Sequence, residues 1–219
     1  MNIIRTMESL KGLADEIIVV DSGSTDNTVA LAQSCGAKVF VEDWKGFAQQ
    51  KNSTLAKATC DWILSLDADE EVSRELAANI KTLLKSGQSV PQFDGYMVAR
   101  GNLHLNRWLK RSGFYPDRKL RLVKRGLGAF ELRPLHESMK TAGSVGRLSG
   151  DLIHHACPTL ESFIEHQNRH SSLGGQMVGG EQRTGFSITN IVLRPLVGFL
   201  YRYFCAWDFS MDARAYSYI

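Results

Sequence analysis

The sequence predicts an α/β protein, a mostly parallel sheet flanked by helices with further helices at the C-terminal end. Apolar runs recur at about 16–20, 38–41 and 62–66 with helical stretches near 26–35 and 47–58 between them, the βαβ alternation of a parallel sheet. Two of these runs, Glu16 to Val20 and Trp62 to Leu66, lead straight into acidic loops headed by Asp21 and Asp67. Near the other end, Ile188 to Phe204 is strongly apolar, with Arg194 and Arg202 its only charges.

The elements follow in order. Ile3, Ile4, Met7 and Leu10 have helical spacing and predict an amphipathic helix at the start. Glu16 to Val20 reads as a buried parallel strand, and the small-residue loop Asp21 to Thr28 opens a helix that Ser24 or Thr25 caps and Gly36 closes. Gly46 to Ala58 is helical, with Lys51 placed to reach phosphate or base. Ser73 caps a helix running to about Ser86, with Gly87 at its end. After Pro91 the texture changes to strands near 94–100 and 118–124, joined by basic and aromatic loops. Leu160 to Gly175 is helical and mixed in polarity, and Pro195 kinks or restarts the apolar helix that follows.

At 219 residues and 43% hydrophobic content, the chain buries one core with a smaller appended unit. A net charge of +3 gives no argument for nucleic acid. Between Arg107 and Arg125, however, eight basic residues face Asp117 alone, a cluster suited to an anionic partner, either a phosphorylated acceptor or an anionic membrane surface. Cys35, Cys60, Cys157 and Cys205 form no Cys-x-x-Cys pair, which points to a reducing cytoplasm and away from a zinc site or disulfide framework. Met1 to Glu8 lacks a signal-peptide apolar region, and no stretch reaches the ~18 uncharged apolar residues of a membrane span.

Asp67 and Asp69 carry the most chemistry. An extended run sends residues i and i+2 to the same side, so both carboxylates converge on one divalent cation and hold a metal diphosphate. Ligands of open α/β sheets bind at the carboxyl ends of strands, which puts Asp21 and Asp67 on one crevice. An Asp-x-Asp after a buried strand also opens phosphohydrolases of the haloacid dehalogenase type, but here Glu70-Glu71 follow and two βα units precede. No G-x-G-x-x-G follows a strand, which excludes dinucleotide binding. His136-Glu137 offers a carboxylate general base, tuned upward by partial burial. His166 and His170, four apart on a helix, read as solvated.

Val19-Val20-Asp21-Ser22-Gly23-Ser24-Thr25-Asp26, then Gln50-Lys51-Asn52, then Leu64-Ser65-Leu66-Asp67-Ala68-Asp69-Glu70 together resemble a family 2 glycosyltransferase of the GT-A (nucleotide-diphospho-sugar transferase) fold. Arg107-Trp108, Gly113 to Asp117, Leu120-Arg121-Leu122, Leu135-His136-Glu137 and Gly150 to His154 are similar to the branch of bacterial lipopolysaccharide-core β-glucosyltransferases. The similarity runs from about Asn2 to about Tyr203. It implies transfer of a sugar, glucose in this branch, from a UDP-sugar to a lipopolysaccharide or lipooligosaccharide core acceptor, with inversion and with Mg²⁺ or Mn²⁺. Asp69 would be the direct metal ligand, Asp67 would serve the ribose or a metal water, and His154 would be a third ligand. Asp21, Ser24 and Lys51 would hold the nucleotide sugar. Glu137 would be the base, with His136, Arg118 and Arg121 on the acceptor. The corresponding domains are 1–155, with a nucleotide-sugar half at about 1–90 and an acceptor half at about 91–155, and a helical region at 156–219 that contacts the cytoplasmic face of the inner membrane.

Two departures accompany the resemblance. The family opens with an apolar strand ahead of the helix in which this sequence starts, and the stretch Cys205 to Tyr216 differs from the family's closing segment. Hence the alternative expectation of an inactive, truncated remnant, and the expectation that an upstream strand raises stability and UDP affinity.

Overall fold

The computed structural model describes residues 2–85, 91–105, 107–108, 115–132, 138–165, 167–168, 171–172 and 188–204. The chain divides into two compact units, Met1–Gly101 with Asp117–His155, and Asn102–Pro116 with Ala156–Ile219.

The first unit begins with α1 (Asn2–Ser9), whose Ile3, Thr6 and Met7 are buried in the i, i+3, i+4 pattern the sequence predicts. It packs on α2 (Thr28–Ser34) through Ile3, Met7 and Ala32. Between these helices runs β1 (Ile18–Asp21), which pairs in parallel with β2 (Lys38–Val41) from Ile18↔Lys38 to Asp21↔Val41. Gly36 ends the first crossover at φ +86°, a conformation that costs a glycine little. Then come α3 (Phe47–Ala56), β3 (Trp62–Leu64), β4 (Glu70–Val72) and α4 (Arg74–Leu84). Ser73 Oγ caps α4 by accepting from Leu76 N at 3.2 Å, and accepts also from Asp151 N at 3.0 Å.

The larger sheet is built from β5 (Gly95–His104), β7 (Asp117–Lys124) and β10 (Val145–Cys157) together with β3 and β4, in the order β3-β7-β5-β10-β4. β3 with β7, β5 with β7, and β4 with β10 run antiparallel. The α/β class expected from the sequence is what the chain adopts, but the parallel pairing is that of the separate two-stranded sheet β1/β2, whereas the pairings just named in the larger sheet are antiparallel. Among the described residues no crossover helix lies between β5 and β7, and strands joined without a crossover run antiparallel.

Leu76 and Ile80 of α4 pack on Val72, Tyr96, Val98, Leu122 and Leu152. On the other side, Ala48 meets Leu120, Val123, Phe130 and Met139, tying α3 to β8 (Gly128–Phe130) and β9 (Met139–Thr141). Burying each large aliphatic side chain contributes about 1.5–3 kcal/mol. With both faces covered, Leu120, Arg121, Leu122 and Val123 are all buried, instead of the half-buried alternation that Lys119 to Leu122 suggests in sequence.

In the second unit, β6 (Arg107–Trp108) pairs with the end of β5, and the His104 ring meets Phe163 edge-on at 6.1 Å. A π-helical turn, Thr189–Leu193, runs into α5 (Arg194–Phe204). From Ile188 to Tyr201 the large apolar side chains are exposed, at 63% and 64% for those two residues. Among the described residues no helix is long and apolar enough to cross a membrane.

Candidate active site

β1 ends at Asp21, and the chain folds back over its carboxylate. Gly23 N and Ser24 N both donate to Asp21 Oδ2 at 2.9 Å, and Ser24 Oγ donates to Oδ1 at 2.5 Å. Burial pushes the Asp21 carboxyl up, but these three donors outweigh it and hold it below the ordinary value. The loop therefore presents an ionised carboxylate, locked by its own backbone, and Ser24 serves that carboxylate instead of capping α2.

α3 is pinned to β8 by Asn52, whose Nδ2 donates to Phe130 O at 2.9 Å and whose Oδ1 accepts from Phe130 N at 2.7 Å. That anchor fixes the preceding residue. Lys51 Nζ stands 2.7 Å from Asp67 Oδ1 and 5.2 Å from the centre of the Phe130 ring.

The stretch carrying Asp67 and Asp69 is not an extended run. β3 stops at Leu64, and the chain turns, with Glu70 N donating to Asp67 O and Asp67 N donating to Glu70 Oε2, both at 3.0 Å. Thr6 of α1 supports the turn by donating to Ala68 O at 2.9 Å. The two carboxylates consequently go to different partners. Asp67 Oδ1 meets Lys51, and Oδ2 meets Arg121 Nη2 at 3.1 Å. Burial works to raise the Asp67 carboxyl, but the Arg121 and Lys51 charges outweigh it and hold it well below the usual range.

Arg121 is the main correction to the sequence reading, which put it on the acceptor. Its side chain is 6% exposed and lies 2.6 Å from Glu70 Oε1 as well as beside Asp67, so it serves the Asp67 turn from beneath. Glu70 is fully buried; burial and the neighbouring Asp67 push its carboxyl up, against the pull of Arg121. Arg100 Nη1 approaches Glu70 at 3.7 Å, while its Nη2 holds Asp117 at 2.8 Å. Sequence reasoning missed Glu70 and Arg100. The signal available was one basic residue inside each of two apolar strands, facing an acid directly after Asp69.

Asp69 has a third of its side chain exposed, and its Oδ2 lies 3.3 Å from His154 Nε2. The register His154↔Glu70 between β10 and β4 brings them together, supported by His155 N donating to Asp69 O at 3.0 Å. The next side chain takes the other face, where His155 Nε2 meets Glu71 Oε2 at 3.2 Å. An oxygen and an imidazole nitrogen on an open edge suit a divalent cation as a two-residue start of a coordination shell. Asp67 would join only by exchanging Lys51 or Arg121, and among the described residues no three His, Cys, Asp or Glu converge on one point. Arg118 is exposed on β7 opposite Ala99. His136 and Glu137 lie outside the described residues.

Ser22, Lys51 and Asp67 line one cavity of about 720 Å³, so the carboxyl ends of β1 and β3 open on the same space. A second hollow of about 490 Å³ lies beside Ser22 and Gly23, walled by Val41 to Lys45.

Residues 2–131 match the family described as Glycosyl transferase family 2. The chain is 32% identical over 213 residues to the "Lipopolysaccharide core biosynthesis glycosyltransferase LpsC" of Rhizobium meliloti (strain 1021), covering 91% of this chain and 75% of that one. It is 33% identical over 180 residues to an "Uncharacterized glycosyltransferase" of Rickettsia felis and 32% identical over 180 residues to another of Rickettsia conorii; it spans 63% of the length of each. Among solved structures, mannosyl-3-phosphoglycerate synthase from Rubrobacter xylanophilus superposes with a TM-score of 0.45 at 15% identity, covering 88% of this chain and 77% of that one. On the match over residues 2–131 and the likeness to LpsC, the chain belongs to glycosyl transferase family 2.

Proposed function

We propose that the protein transfers a hexose, glucose by the resemblance, from a UDP-sugar to the core oligosaccharide of lipopolysaccharide or lipooligosaccharide, with inversion. The observation that carries this reading is the pairing of Asp69 with His154 beside the Lys51–Asp67 pair. In this reading Asp69 and His154 form a two-residue seat for a divalent cation on the same turn whose Asp67 holds the Lys51 ammonium group. The relative's name supplies the acceptor class.

In this reading Asp21 binds the uracil or ribose, with Ser24 holding its rotamer, and Asp67 takes the ribose. Lys51 turns from Asp67 to the diphosphate as the donor enters, compensating charge that develops on the departing group. Asp69 and His154 hold Mg²⁺ or Mn²⁺, which supplies Lewis-acid stabilisation of the leaving diphosphate. Glu137 removes the proton of the acceptor hydroxyl, His136 orients it, and Arg118 meets an anionic group of the acceptor. The exposed helix from Ile188 to Phe204 lies on the cytoplasmic face of the inner membrane, where a lipid-linked acceptor is presented.

The test is incubation with a panel of nucleotide sugars and core acceptors, read by mass spectrometry of the product. Release of a nucleoside diphosphate with a hexose added to the acceptor supports the reading. Release of phosphate from simple esters, or no turnover across the panel, overturns it.

A further inference from the structure

The loop between β2 and α3 presents two aromatic side chains to water. Trp44 is 54% and Phe47 37% exposed, and their rings meet edge to face with centres 4.8 Å apart. The loop beneath them is fixed. Glu42 N donates to Asp21 O at 2.9 Å, which extends the β1/β2 pairing by one step. The Glu42 carboxylate accepts from Ser53 Oγ at 2.7 Å and from Lys45 Nζ at 2.9 Å, and also pairs with Lys57. On the far side of Trp44, Lys45 N donates to Gln50 Oε1 at 3.3 Å, and Gln50 N donates to Gly46 O at 2.9 Å. Trp44 is thus held between two anchored neighbours in the direction of water.

Two features of the surroundings point to a ligand. Trp44 and Ser22 border both the 490 Å³ hollow and the 720 Å³ cavity, so the indole stands beside the loop that locks the Asp21 carboxylate. Gln50, 7% exposed, lines the larger cavity with Phe47 and Lys51. Its oxygen is taken by Lys45 N, and its Nε2 has no partner among the described residues. A buried donor without an acceptor is unfavourable, and one in a cavity wall is satisfied by an acceptor on a bound molecule. An exposed indole, an acceptor-only carboxylate and a buried amide donor together suit a planar ring that carries an N–H beside a carbonyl. We propose that the Trp44 indole is the face on which the base of the donor nucleotide stacks, and that Gln50 Nε2 donates to a carbonyl oxygen of that base. This rests on the reading of a UDP-sugar as the donor. Uracil has an N–H for Asp21 flanked by two carbonyl oxygens, whereas an aliphatic chain offers neither group and a diphosphate is repelled by Asp21. Phe47 buttresses the indole edge-on and limits its rotation, so little side-chain freedom is lost when the base binds.

Calorimetry with UDP and with pyrophosphate, each in the presence of Mn²⁺, separates the base from the diphosphate. Trp44 is half exposed, so its replacement opens no cavity in the core. Trp44→Ala is expected to weaken UDP binding about tenfold or more and to leave pyrophosphate binding unchanged, while Trp44→Phe restores most of the loss. Gln50→Met should weaken UDP about threefold or more, again without effect on pyrophosphate. UDP should also quench the tryptophan fluorescence of the parent protein, and Trp44→Phe should abolish that quenching. Unchanged UDP affinity in Trp44→Ala, or equal losses for UDP and pyrophosphate, overturns the stacking. Unchanged UDP affinity in Gln50→Met overturns the hydrogen bond. A parent protein that binds pyrophosphate as tightly as UDP overturns the proposal while the diphosphate part of the donor reading stands. One that binds neither removes the donor reading and this proposal with it.

Discussion

The Arg121 guanidinium bridges two carboxylates, standing 2.6 Å from Glu70 and 3.1 Å from Asp67. It is the fixed point of a network in which Lys51, Arg100, Lys119 and Arg121 face Asp67, Glu70 and Asp117. Replacing Arg121 with Met leaves Glu70 buried without its partner, and breaking such a pair costs about 3–5 kcal/mol. Urea unfolding should show a loss of that size. Adding Glu70→Leu should recover much of it, because removing both charges also removes the uncompensated one. Additive losses in the double variant would show that the pair is not coupled.

Acid unfolding should report the same cluster. Asp67 is held below the pKa of about 3.9 that an unfolded aspartate has, so the native state binds fewer protons. The stabilisation is then complete above the unfolded value and is lost as pH falls through about 5 and below. Glu70, raised by burial, works in the opposite sense. Asp67→Asn should therefore be less stable than the parent at pH 7, with the gap starting to narrow as pH falls through about 4 and closing only well below pH 3. Parallel curves from pH 7 to 3 would remove Asp67 as the source.

Much of the scaffold was readable because its signals are local. Ser73 at the head of α4, the period of α1, and Asp21 and Asp67 following apolar runs all depend on neighbours in sequence. What could not be read depends on distant partners. β3 pairs with β7, and the match Ile63↔Val123 spans some sixty residues. Arg121 is buried because both faces of β7 are covered, so an apparent basic alternation turned out to be an internal counter-ion. Asp67 and Asp69 part company because the side chain of Glu70 binds Asp67 N and bends the chain, which spacing alone does not reveal.

Asp69→Ala should leave the fold intact, since the side chain is a third exposed and faces His154 at the edge of the sheet. Mn²⁺ binding, followed by electron paramagnetic resonance, should weaken strongly and transfer should be abolished. A loss of only two- or threefold at saturating Mn²⁺ would move the metal elsewhere.

Glu137→Gln keeps the size of the side chain and removes its basicity. General-base catalysis typically contributes about 10²–10⁴-fold, so turnover should fall within that range while UDP-sugar affinity, measured by calorimetry, stays unchanged. Near-normal turnover would assign the base to another group.

From Ile188 to Tyr201 the amphipathic helical stretch carries exposed apolar side chains, with Val197 and Phe199 each 61% accessible. Such a surface in water is unfavourable by about 25 cal/mol per Å² until it is covered. The 11 residues of α5 span about 16 Å at 1.5 Å each, a length that fits lying in a membrane interface, where the charges of Arg194 and Arg202 would meet anionic headgroups. Each such contact contributes about 1 kcal/mol near a charged surface and is screened by salt. The protein should therefore co-sediment with anionic vesicles at low ionic strength and progressively less as salt rises. Val197→Ser with Phe199→Ser should weaken binding at every salt concentration, because the apolar part is unscreened. Arg194→Gln with Arg202→Gln should flatten the salt dependence while leaving residual binding. If the parent protein stays in the supernatant with anionic vesicles at low salt, the helix packs against protein, and the acceptor reaches the site without a membrane contact from this element.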